Sequence, residues 1–186
     1  MPYAIVLTLD ARAEENIRRL WDGLADAKLA AALRDGGAIP HLTMAVFKEL
    51  PDPVGLVDAL DTIQATELNL TMGHIGVFPG EEGVVFAGVT LTNELQELHR
   101  TVHTLLEERV GERRAYYLPG RWVPHITLAI RLDGRERAAA VRWLLNPPVS
   151  YPDWPLKARA IAVTLLELPG DRRIARRLLA APEKAV

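Results

Sequence analysis

The sequence predicts one α+β domain made of two lobes that are related by a pseudo-twofold axis. Two internal matches support this prediction. Residues 40–45 read Pro-His-Leu-Thr-Met-Ala and residues 124–129 read Pro-His-Ile-Thr-Leu-Ala, so that four of the six positions are identical. Upstream of each hexapeptide, at nearly the same distance, residues 6–9 resemble residues 88–91. Two matches in the same register indicate two copies of one structural unit.

The two expected copies fill the chain without a separate linker. The first covers about residues 3–79 and the second about residues 84–169, with a turn between them and a basic tail at residues 170–186. A chain of 186 residues has the length of one ordinary domain. We therefore expect residues 1–186 to fold as one bilobed domain and not as two independent domains.

The first copy reads as strand, helix, strand, helix, strand. Residues 3–9 are rich in Ile, Val, Leu and Thr and end at Asp10, which is typical of a helix N-cap. The helix that follows has one apolar face at the spacing i, i+3, i+4 and i+7, formed by Ile17, Leu20, Trp21 and Leu24. A strand around His41, a helix that starts at residues 51–53 and a strand over residues 68–78 complete the copy.

The second copy repeats this order. A strand over residues 84–91 precedes a helix that Asn93 is predicted to cap. A strand around His125 is followed by another helix, and the last strand covers residues 156–168. Beyond it, residues 172–180 are rich in arginine and read as a short basic helix.

The composition excludes several classes of protein. The formal net charge is −2, which excludes a strongly basic nucleic-acid coat protein. The absence of cysteine excludes disulfides, cysteine-bound zinc, iron–sulfur clusters and thiol nucleophiles. The first residues lack the basic segment of a signal peptide, and the apolar runs are far shorter than the roughly 20 residues that a membrane span needs. We therefore expect a cytoplasmic protein without membrane association, and we take it to be a monomer.

Two histidines occupy equivalent positions in the two hexapeptides. Because side chains alternate between the two faces of a strand, His41 and Thr43 share one face, as do His125 and Thr127. If both of these faces point inward, they line a cleft with two imidazoles and two hydroxyl groups.

Strict alternation extends these faces beyond the threonines. It adds Ala45 to the first face, and Ala129 and Arg131 to the second. The small alanine side chains would leave room for a ligand, while the apolar residues on the opposite face would pack against the helices.

Such a set of side chains suits an in-line attack on phosphorus. That reaction needs a base for the incoming oxygen and an acid for the leaving oxygen on opposite sides, and histidine can serve in either role near neutral pH. Threonine hydroxyls can donate hydrogen bonds to the non-bridging phosphate oxygens. This chemistry requires no metal and no cofactor. The alternative is that each histidine only satisfies a hydrogen bond in a half-buried sheet.

The paired His-x-Thr motifs resemble those of the 2H phosphoesterase superfamily, in particular the bacterial and archaeal proteins named 2′-5′ RNA ligases or RNA 2′,3′-cyclic phosphodiesterases. The resemblance extends over nearly the whole chain and includes residues 76–79 and 84–89, between the motifs. It implies two antiparallel sheets that flank a central cleft, with the helices outside.

This resemblance also implies roles for the four polar residues. His41 and His125 would be the catalytic pair, and Thr43 and Thr127 would bind the phosphate. The implied reaction is metal-independent hydrolysis of a 2′,3′-cyclic phosphate at an RNA end to a 2′-phosphate, with weak 2′-5′ ligation as its reverse. The spacing does not decide which histidine is the acid. We take His125 as the base that activates water and His41 as the acid for the leaving 3′-oxygen.

The chain departs from the family pattern after the second motif. Members of the ligase type usually carry an arginine directly after Thr-Leu-Ala, where this chain has Ile130 followed by Arg131. Arg131 is therefore our candidate for a substrate-binding cation. The departure concerns the substrate and leaves the phosphoesterase chemistry in place.

Aromatic and basic residues precede the second motif and form a candidate substrate-binding loop. We select Tyr117, Arg121 and Trp122, because aromatic rings can stack on bases while arginines hold backbone phosphates. A surface loop with its own packing cluster is the alternative.

Other histidines and arginines read as structural or solvent-exposed. His99 and His103 lie four residues apart, as metal ligands on a helix do, but the glutamate of a metallopeptidase motif is missing and an exposed helix face is the preferred interpretation. His74 reads as a structural strand residue. Four arginines of the C-terminal segment could touch RNA but read as a solvated helix face. These are Arg172, Arg173, Arg176 and Arg177.

Three functions compete at this point. The first is an enzyme that acts on RNA ends with a cyclic phosphate. The second is a 2H phosphodiesterase for a small molecule, such as a cyclic mononucleotide or an ADP-ribose cyclic phosphate. The third is an RNA-end binding module without turnover, which the presence of both histidines and both threonines argues against.

Overall fold

The computed structural model describes residues 2–148, 151–152 and 154–181. The first half of the chain contributes three strands and three helices. These are β1 (Tyr3–Leu9), α1 (Ala11–Asp26), α2 (Ala32–Asp35), β2 (His41–Phe47), α3 (Pro53–Asp61) and β3 (Leu68–Phe78). Apart from the four-residue α2, this is the order of elements that the sequence indicates.

The described residues of the second half contribute four strands, two helices and a 3₁₀ turn. These are β4 (Val84–Val89), α4 (Asn93–Leu106), the turn at Ala115–Tyr117, β5 (His125–Ala129), α5 (Gly134–Leu145), β6 (Leu156–Glu167) and β7 (Arg172–Leu178). The two halves thus share the order strand, helix, strand, helix, strand, before β7 is added. That they are copies of one unit stays a prediction.

The pairings between these strands are antiparallel, and they connect the strands in the order β1-β2-β5-β4-β3-β6-β7 with an additional pairing of β1 and β6. The α+β fold with antiparallel strands is confirmed, but the two expected sheets are hydrogen-bonded into one. They join because β6 pairs with β3 through its first residues and with β1 through its last ones. On the other side, β2 meets β5 at Leu42 and Ile126.

The main core lies between one face of this sheet and the helices. The apolar stripe predicted on α1 is buried there, including Ile17, Leu20 and Leu24, and burying such side chains stabilises a fold by about 1.5–3 kcal/mol each. Asp10 caps α1 as predicted. The prediction for α4 is wrong by one residue, because the Thr92 hydroxyl accepts the hydrogen bond from the Leu95 amide.

The arginine-rich segment is a strand and not the predicted helix. A turn after β6 contains Gly170 and Asp171, whose φ angles of 97° and 50° are in the left-handed region and reverse the chain. The segment then pairs with β6 along Ala162–Glu167, and Ile174 and Ala175 pack on the core. The hydrogen bonds that this segment makes with the backbone of β6 outweigh its own local preference for a helix. The last five residues of the predicted tail, 182–186, lie outside the described residues.

Within the described ranges, none of the helices combines the length and the apolar character needed to cross a membrane.

Candidate active site

The two His-x-Thr segments lie on neighbouring strands at the centre of the sheet. Leu42 of β2 pairs with Ile126 of β5, and counting outward from this antiparallel pair places His41 across from Thr127, and Thr43 across from His125. Residues that face each other across strands project on the same side, so the four side chains form a quadrilateral with the histidines on its diagonal. Diagonal neighbours in an antiparallel pair are about 7–8 Å apart, which leaves space for one phosphate between the rings. We call this side of the sheet the histidine face.

A β-bulge follows each threonine and changes which residues continue the histidine face. Val6 pairs with Thr43 while Ile5 pairs with Ala45, so Met44 is an extra residue in β2. In β5, the register shift makes Leu128 the corresponding extra residue.

Strict alternation is therefore wrong beyond the threonines. Ala45 and Ala129 lie in the main core and leave no room for a ligand. Val46 packs in a second apolar cluster on the histidine face. After the bulge in β5, the residue that continues the histidine face is Ile130, and Arg131 follows it with a left-handed φ of 62°. Arg131 is exposed but still lines the cavity beside His41.

Both imidazoles are held in the same way. Nδ1 of His41 lies 2.6 Å from the carbonyl oxygen of Ile39, and Nδ1 of His125 lies 2.7 Å from the carbonyl oxygen of Val123. A carbonyl only accepts hydrogen bonds, so Nδ1 is the protonated nitrogen in each ring. The Nε2 atom of each ring is then a proton acceptor when the ring is neutral and a donor when it is charged.

The surroundings of His125 are aromatic. Phe78 and Phe86 stack on each other, and both contact the His125 ring, with centroid distances of 4.9 and 5.1 Å. Burial lowers the pKa of His125 below its usual 6.5, and the nearby charge of His41 lowers it further. This environment favours the neutral ring, which is the form that can accept a proton.

The surroundings of His41 contain a carboxylate. Oδ2 of Asp171 lies 4.0 Å from Nδ1 of His41 and accepts a hydrogen bond of 3.0 Å from the amide of Ile39. Burial lowers the pKa of His41, but the charge of Asp171 opposes this effect. Sequence reasoning missed Asp171, because only the β6–β7 turn brings it to β2; the Pro-Gly pair before it was the available signal of a turn.

Indole groups bind the backbone of both threonines. Trp122 donates from Nε1 to the carbonyl oxygen of Thr43 at 2.9 Å, and Trp21 of α1 donates to that of Thr127 at 3.1 Å. These carbonyls lie where the bulges interrupt the regular ladder, so the indoles provide the missing donors. Tyr117 contributes differently: burial raises the pKa of its hydroxyl, and the neighbouring Thr43 side chain lowers it in part.

The three predicted residues of the substrate-binding loop, Tyr117, Arg121 and Trp122, lie in different places. Tyr117 reaches the site through the Thr43 side chain, and Trp122 supports β2 from behind while stacking on His99 with a centroid distance of 3.9 Å. Arg121 is exposed and is not among the residues that line the cavity at His41.

The prediction of an exposed helix face for His99 and His103 is wrong. Both rings are buried, with 2% of their surface exposed, and both place Nε2 within hydrogen-bond distance of the Met44 carbonyl. His99 also reaches the carbonyl of Tyr117. Burial lowers the pKa of His99 to about 4. Among the described residues, no cluster of three potential metal ligands includes them, so their visible role is to bind the bulged backbone of β2.

A cavity of about 560 Å³ opens beside His41 and Thr127. Its walls are mostly apolar and come from α1, α2, the end of β5 and the β6–β7 turn, and Glu82, Arg131 and Asp171 supply its charged groups. Its volume is typical of a small-molecule site. A group bound between the histidines would therefore extend into it on the His41 side.

Comparison with known proteins gives a consistent picture. The family model described as the 2′-5′ RNA ligase superfamily matches residues 8–172. No curated protein matches the chain. Among solved structures, apo LigT of E. coli is similar with 17% identity and a TM-score of 0.63, over 96% of this chain and 97% of that one.

Two further structures are similar over almost their whole length. TT0787 of Thermus thermophilus has 17% identity and a TM-score of 0.65, over 97% of this chain and 99% of that one. Usb1 of Kluyveromyces marxianus has 12% identity and a TM-score of 0.50, over 96% and 98%. At these identities the structures show a shared fold.

Proposed function

Because the chain belongs to the 2′-5′ RNA ligase superfamily, a group of 2H phosphoesterases, we propose that it hydrolyses 2′,3′-cyclic phosphates at RNA ends to 2′-phosphates. One observation carries the proposal: two histidines on a common sheet face, with both Nδ1 atoms bound by carbonyls and both Nε2 atoms available. Weak 2′-5′ ligation would be the same displacement with the 5′-hydroxyl of a second RNA in place of water: the 5′-oxygen forms a bond to phosphorus, and the bond to the 3′-oxygen breaks.

In the proposed reaction, Nε2 of His125 takes a proton from water, and the water oxygen forms a bond to phosphorus. The bond between phosphorus and the 3′-oxygen breaks in line with it, and His41 gives its Nε2 proton to the leaving 3′-oxygen. The hydroxyls of Thr43 and Thr127 donate to the non-bridging oxygens, where negative charge develops. The products are a 2′-phosphate and a free 3′-hydroxyl, and no metal takes part.

The assignment of acid and base follows from the different surroundings of the rings. Asp171 favours the protonated form of His41, which must hold a proton before it can donate one. The aromatic contacts of His125 favour its neutral form. We therefore keep His41 as the acid and His125 as the base.

The leaving 3′-oxygen belongs to the ribose, so the ribose lies on the side of the acid, His41. The cavity of about 560 Å³ begins there, and we assign it to the terminal nucleoside of the substrate. E. coli LigT has been crystallised with 3′-AMP and with phosphate, which supports a nucleotide in a site of this fold.

A small cyclic nucleotide is the second candidate substrate, since the cavity accommodates a nucleoside without any RNA chain. A binding module without turnover is the third, and it gives no reason for two histidines whose rings are oriented alike but lie in different electrostatic surroundings. The natural location is proposed to be the cytoplasm.

The test is a hydrolysis assay with an RNA oligomer and a mononucleotide, both ending in a 2′,3′-cyclic phosphate, in the presence of EDTA. We expect a 2′-phosphate product from both, a higher kcat/KM for the RNA, and a loss of about 10²–10⁴-fold in kcat for His41→Ala and for His125→Ala. Hydrolysis that EDTA abolishes and a divalent metal restores would contradict the proposed mechanism, and a 3′-phosphate product would contradict the assignment of the leaving group.

A further inference from the structure

The arginines of β7 are divided between the two faces of the sheet by its strand pairing. Thr43 of β2 pairs with Val6 of β1, Val6 pairs with Thr164 of β6, and Thr164 pairs with Arg176 of β7. Residues paired across antiparallel strands project on the same side. Arg176 therefore lies on the histidine face, in the same row as Thr43.

Arg173 lies on the same face in the next row. Val46 pairs with Ala4, Ala4 with Leu166, and Leu166 with Arg173. Three of these residues, Ala4, Val46 and Leu166, belong to the apolar cluster of the histidine face. The two arginines share a face although they are three positions apart, because a register shift in β7 makes Ile174 an extra residue.

The other two arginines of the strand lie on the opposite face. Arg177 pairs with Val163, which is part of the main core. Arg172 pairs with Glu167 and also forms an ion pair with its carboxylate. In contrast, Arg173 and Arg176 are exposed, and neither forms an ion pair with a residue in the described part of the chain.

An aromatic side chain lies between the threonine and the arginines. Tyr117 packs on the apolar cluster that contains Val6 and Leu166, and its hydroxyl neighbours the Thr43 side chain. Starting at the proposed phosphate site, the histidine face thus presents a hydroxyl, an aromatic ring and then two cations. Basic groups that alternate with aromatic rings are the usual surface for single-stranded nucleic acid.

We propose that Arg173 and Arg176 bind backbone phosphates of the RNA chain upstream of the reacting end. This proposal rests on the proposed function and extends it to the length of the substrate. Arg176 lies three strands away from Thr43 in the sheet, so the backbones of the two residues are about 14 Å apart. A phosphate held between the histidines cannot span that distance, so the arginines require a second phosphate, which RNA has and a cyclic mononucleotide lacks.

The test compares the double variant Arg173→Gln/Arg176→Gln with the matched control Arg172→Gln, which changes the neighbouring arginine on the opposite face. Binding of a labelled RNA oligomer that ends in a 2′-phosphate is titrated at several salt concentrations, and kcat/KM is measured for the cyclic-phosphate RNA and mononucleotide. Each contact with a phosphate of a single strand contributes about 0.7 to the slope of log affinity against log salt.

We expect the slope of log affinity against log salt to be about 1.4 less steep in the double variant. For a tenfold rise in salt, the loss of RNA affinity should therefore be about 25 times smaller in the double variant than in the wild type. The RNA-to-mononucleotide ratio of kcat/KM should fall in parallel, and Arg172→Gln should keep both quantities. An unchanged slope in the double variant, or an equal fall in the control, overturns the proposal. If the wild type hydrolyses neither substrate, the proposed function fails, while the titration still decides whether β7 binds RNA.

Discussion

Asp171 lies 4.0 Å from His41 and accepts the amide hydrogen bond of Ile39, the residue whose carbonyl binds the His41 ring. One carboxylate therefore acts on His41 both through its charge and through the backbone that orients the ring. In the part of the chain that the structure describes, no carboxylate forms an ion pair with His125. The two histidines have matching hydrogen bonds but different electrostatic surroundings.

Replacing Asp171 by asparagine should shift the basic limb of the pH profile of kcat/KM to lower pH. The charge of Asp171 raises the pKa of His41 against the effect of burial, so its removal lowers that pKa. A proton donor with a lower pKa loses its proton at lower pH, and activity above that pH is lost. The acidic limb, which reports the pKa of His125, should move little. The measurement is kcat/KM for a cyclic mononucleotide from pH 4 to pH 9.

Asp26→Asn is a suitable control for this shift. Asp26 is exposed and forms its ion pair with Arg34, and it takes no part in the cavity beside His41. The pKa of His41, followed by NMR in both variants, separates a change in charge from a change in structure. An Asp171→Asn enzyme with the basic limb of the wild type would show that Asp171 does not tune the acid.

The link between Tyr117 and Thr43 predicts graded effects on catalysis. Thr43→Val removes the proposed donor to the substrate phosphate, and a hydrogen bond to a charged group is worth about 1.5–3 kcal/mol, or about 10- to 150-fold in kcat/KM. Tyr117→Phe removes the hydroxyl beside Thr43 but keeps the Thr43 hydroxyl itself, so the expected loss is below tenfold. Urea unfolding midpoints of both variants should stay near that of the wild type. Full activity of Thr43→Val would contradict the phosphate-binding role.

Most elements, and the two His-x-Thr segments of the candidate site, could be predicted from the sequence because they depend on local patterns. The spacing of apolar residues in α1 and the strand composition around His41 and His125 are properties of short segments. The alternation rule failed directly after Thr43 and Thr127, because a bulge is stabilised by distant groups. The carbonyls of Thr43 and Met44 are bound from Trp122 and from two histidines of α4, and nothing within β2 indicates them.

The C-terminal strand β7 also could not be predicted from local sequence patterns. Residues 172–178 have an arginine-rich composition that local reasoning assigns to a helix, and only the free edge of β6 makes them a strand. Asp171 reaches the site for the same reason, because the hairpin turn places it beside β2. Long-range pairing thus supplied the part of the site that the sequence did not predict.

Filling the cavity beside His41 should weaken binding of nucleosides selectively. Ala38 lines this cavity, and Ala38→Phe places a large ring where we assign the terminal nucleoside. An overpacking cost of about 1–3 kcal/mol corresponds to a rise in KM of about 5- to 150-fold for a nucleoside 2′,3′-cyclic phosphate. Glycerol 1,2-cyclic phosphate carries neither ribose nor base, so its hydrolysis should be little affected.

Ala139→Phe is the matched control for this variant. Ala139 lines a second cavity of about 550 Å³ next to α5, away from the histidines, and filling it should leave the KM for both substrates unchanged. If Ala38→Phe impaired both substrates equally, the effect would be a general distortion, and the cavity would not be the nucleoside site.

The buried His99 predicts a loss of stability in mild acid. Its pKa is about 4 in the folded protein because of burial, against about 6.5 in an unfolded chain. Between these values the unfolded state binds the additional proton, so the free energy of unfolding falls as the pH drops from 6.5 towards 4. His99 alone should lower it by about 2 kcal/mol between pH 7 and pH 5.

Urea unfolding at both pH values tests this expectation with His99→Gln and, as a control, His74→Gln, which changes an exposed histidine of β3. His99→Gln should reduce the difference in stability between pH 7 and pH 5 by about 2 kcal/mol, whereas His74→Gln should keep the difference of the wild type. If the three proteins lost the same stability in acid, the pKa of His99 would not be lowered in the folded protein, and the burial of this ring beside the Met44 carbonyl would not be a source of acid sensitivity.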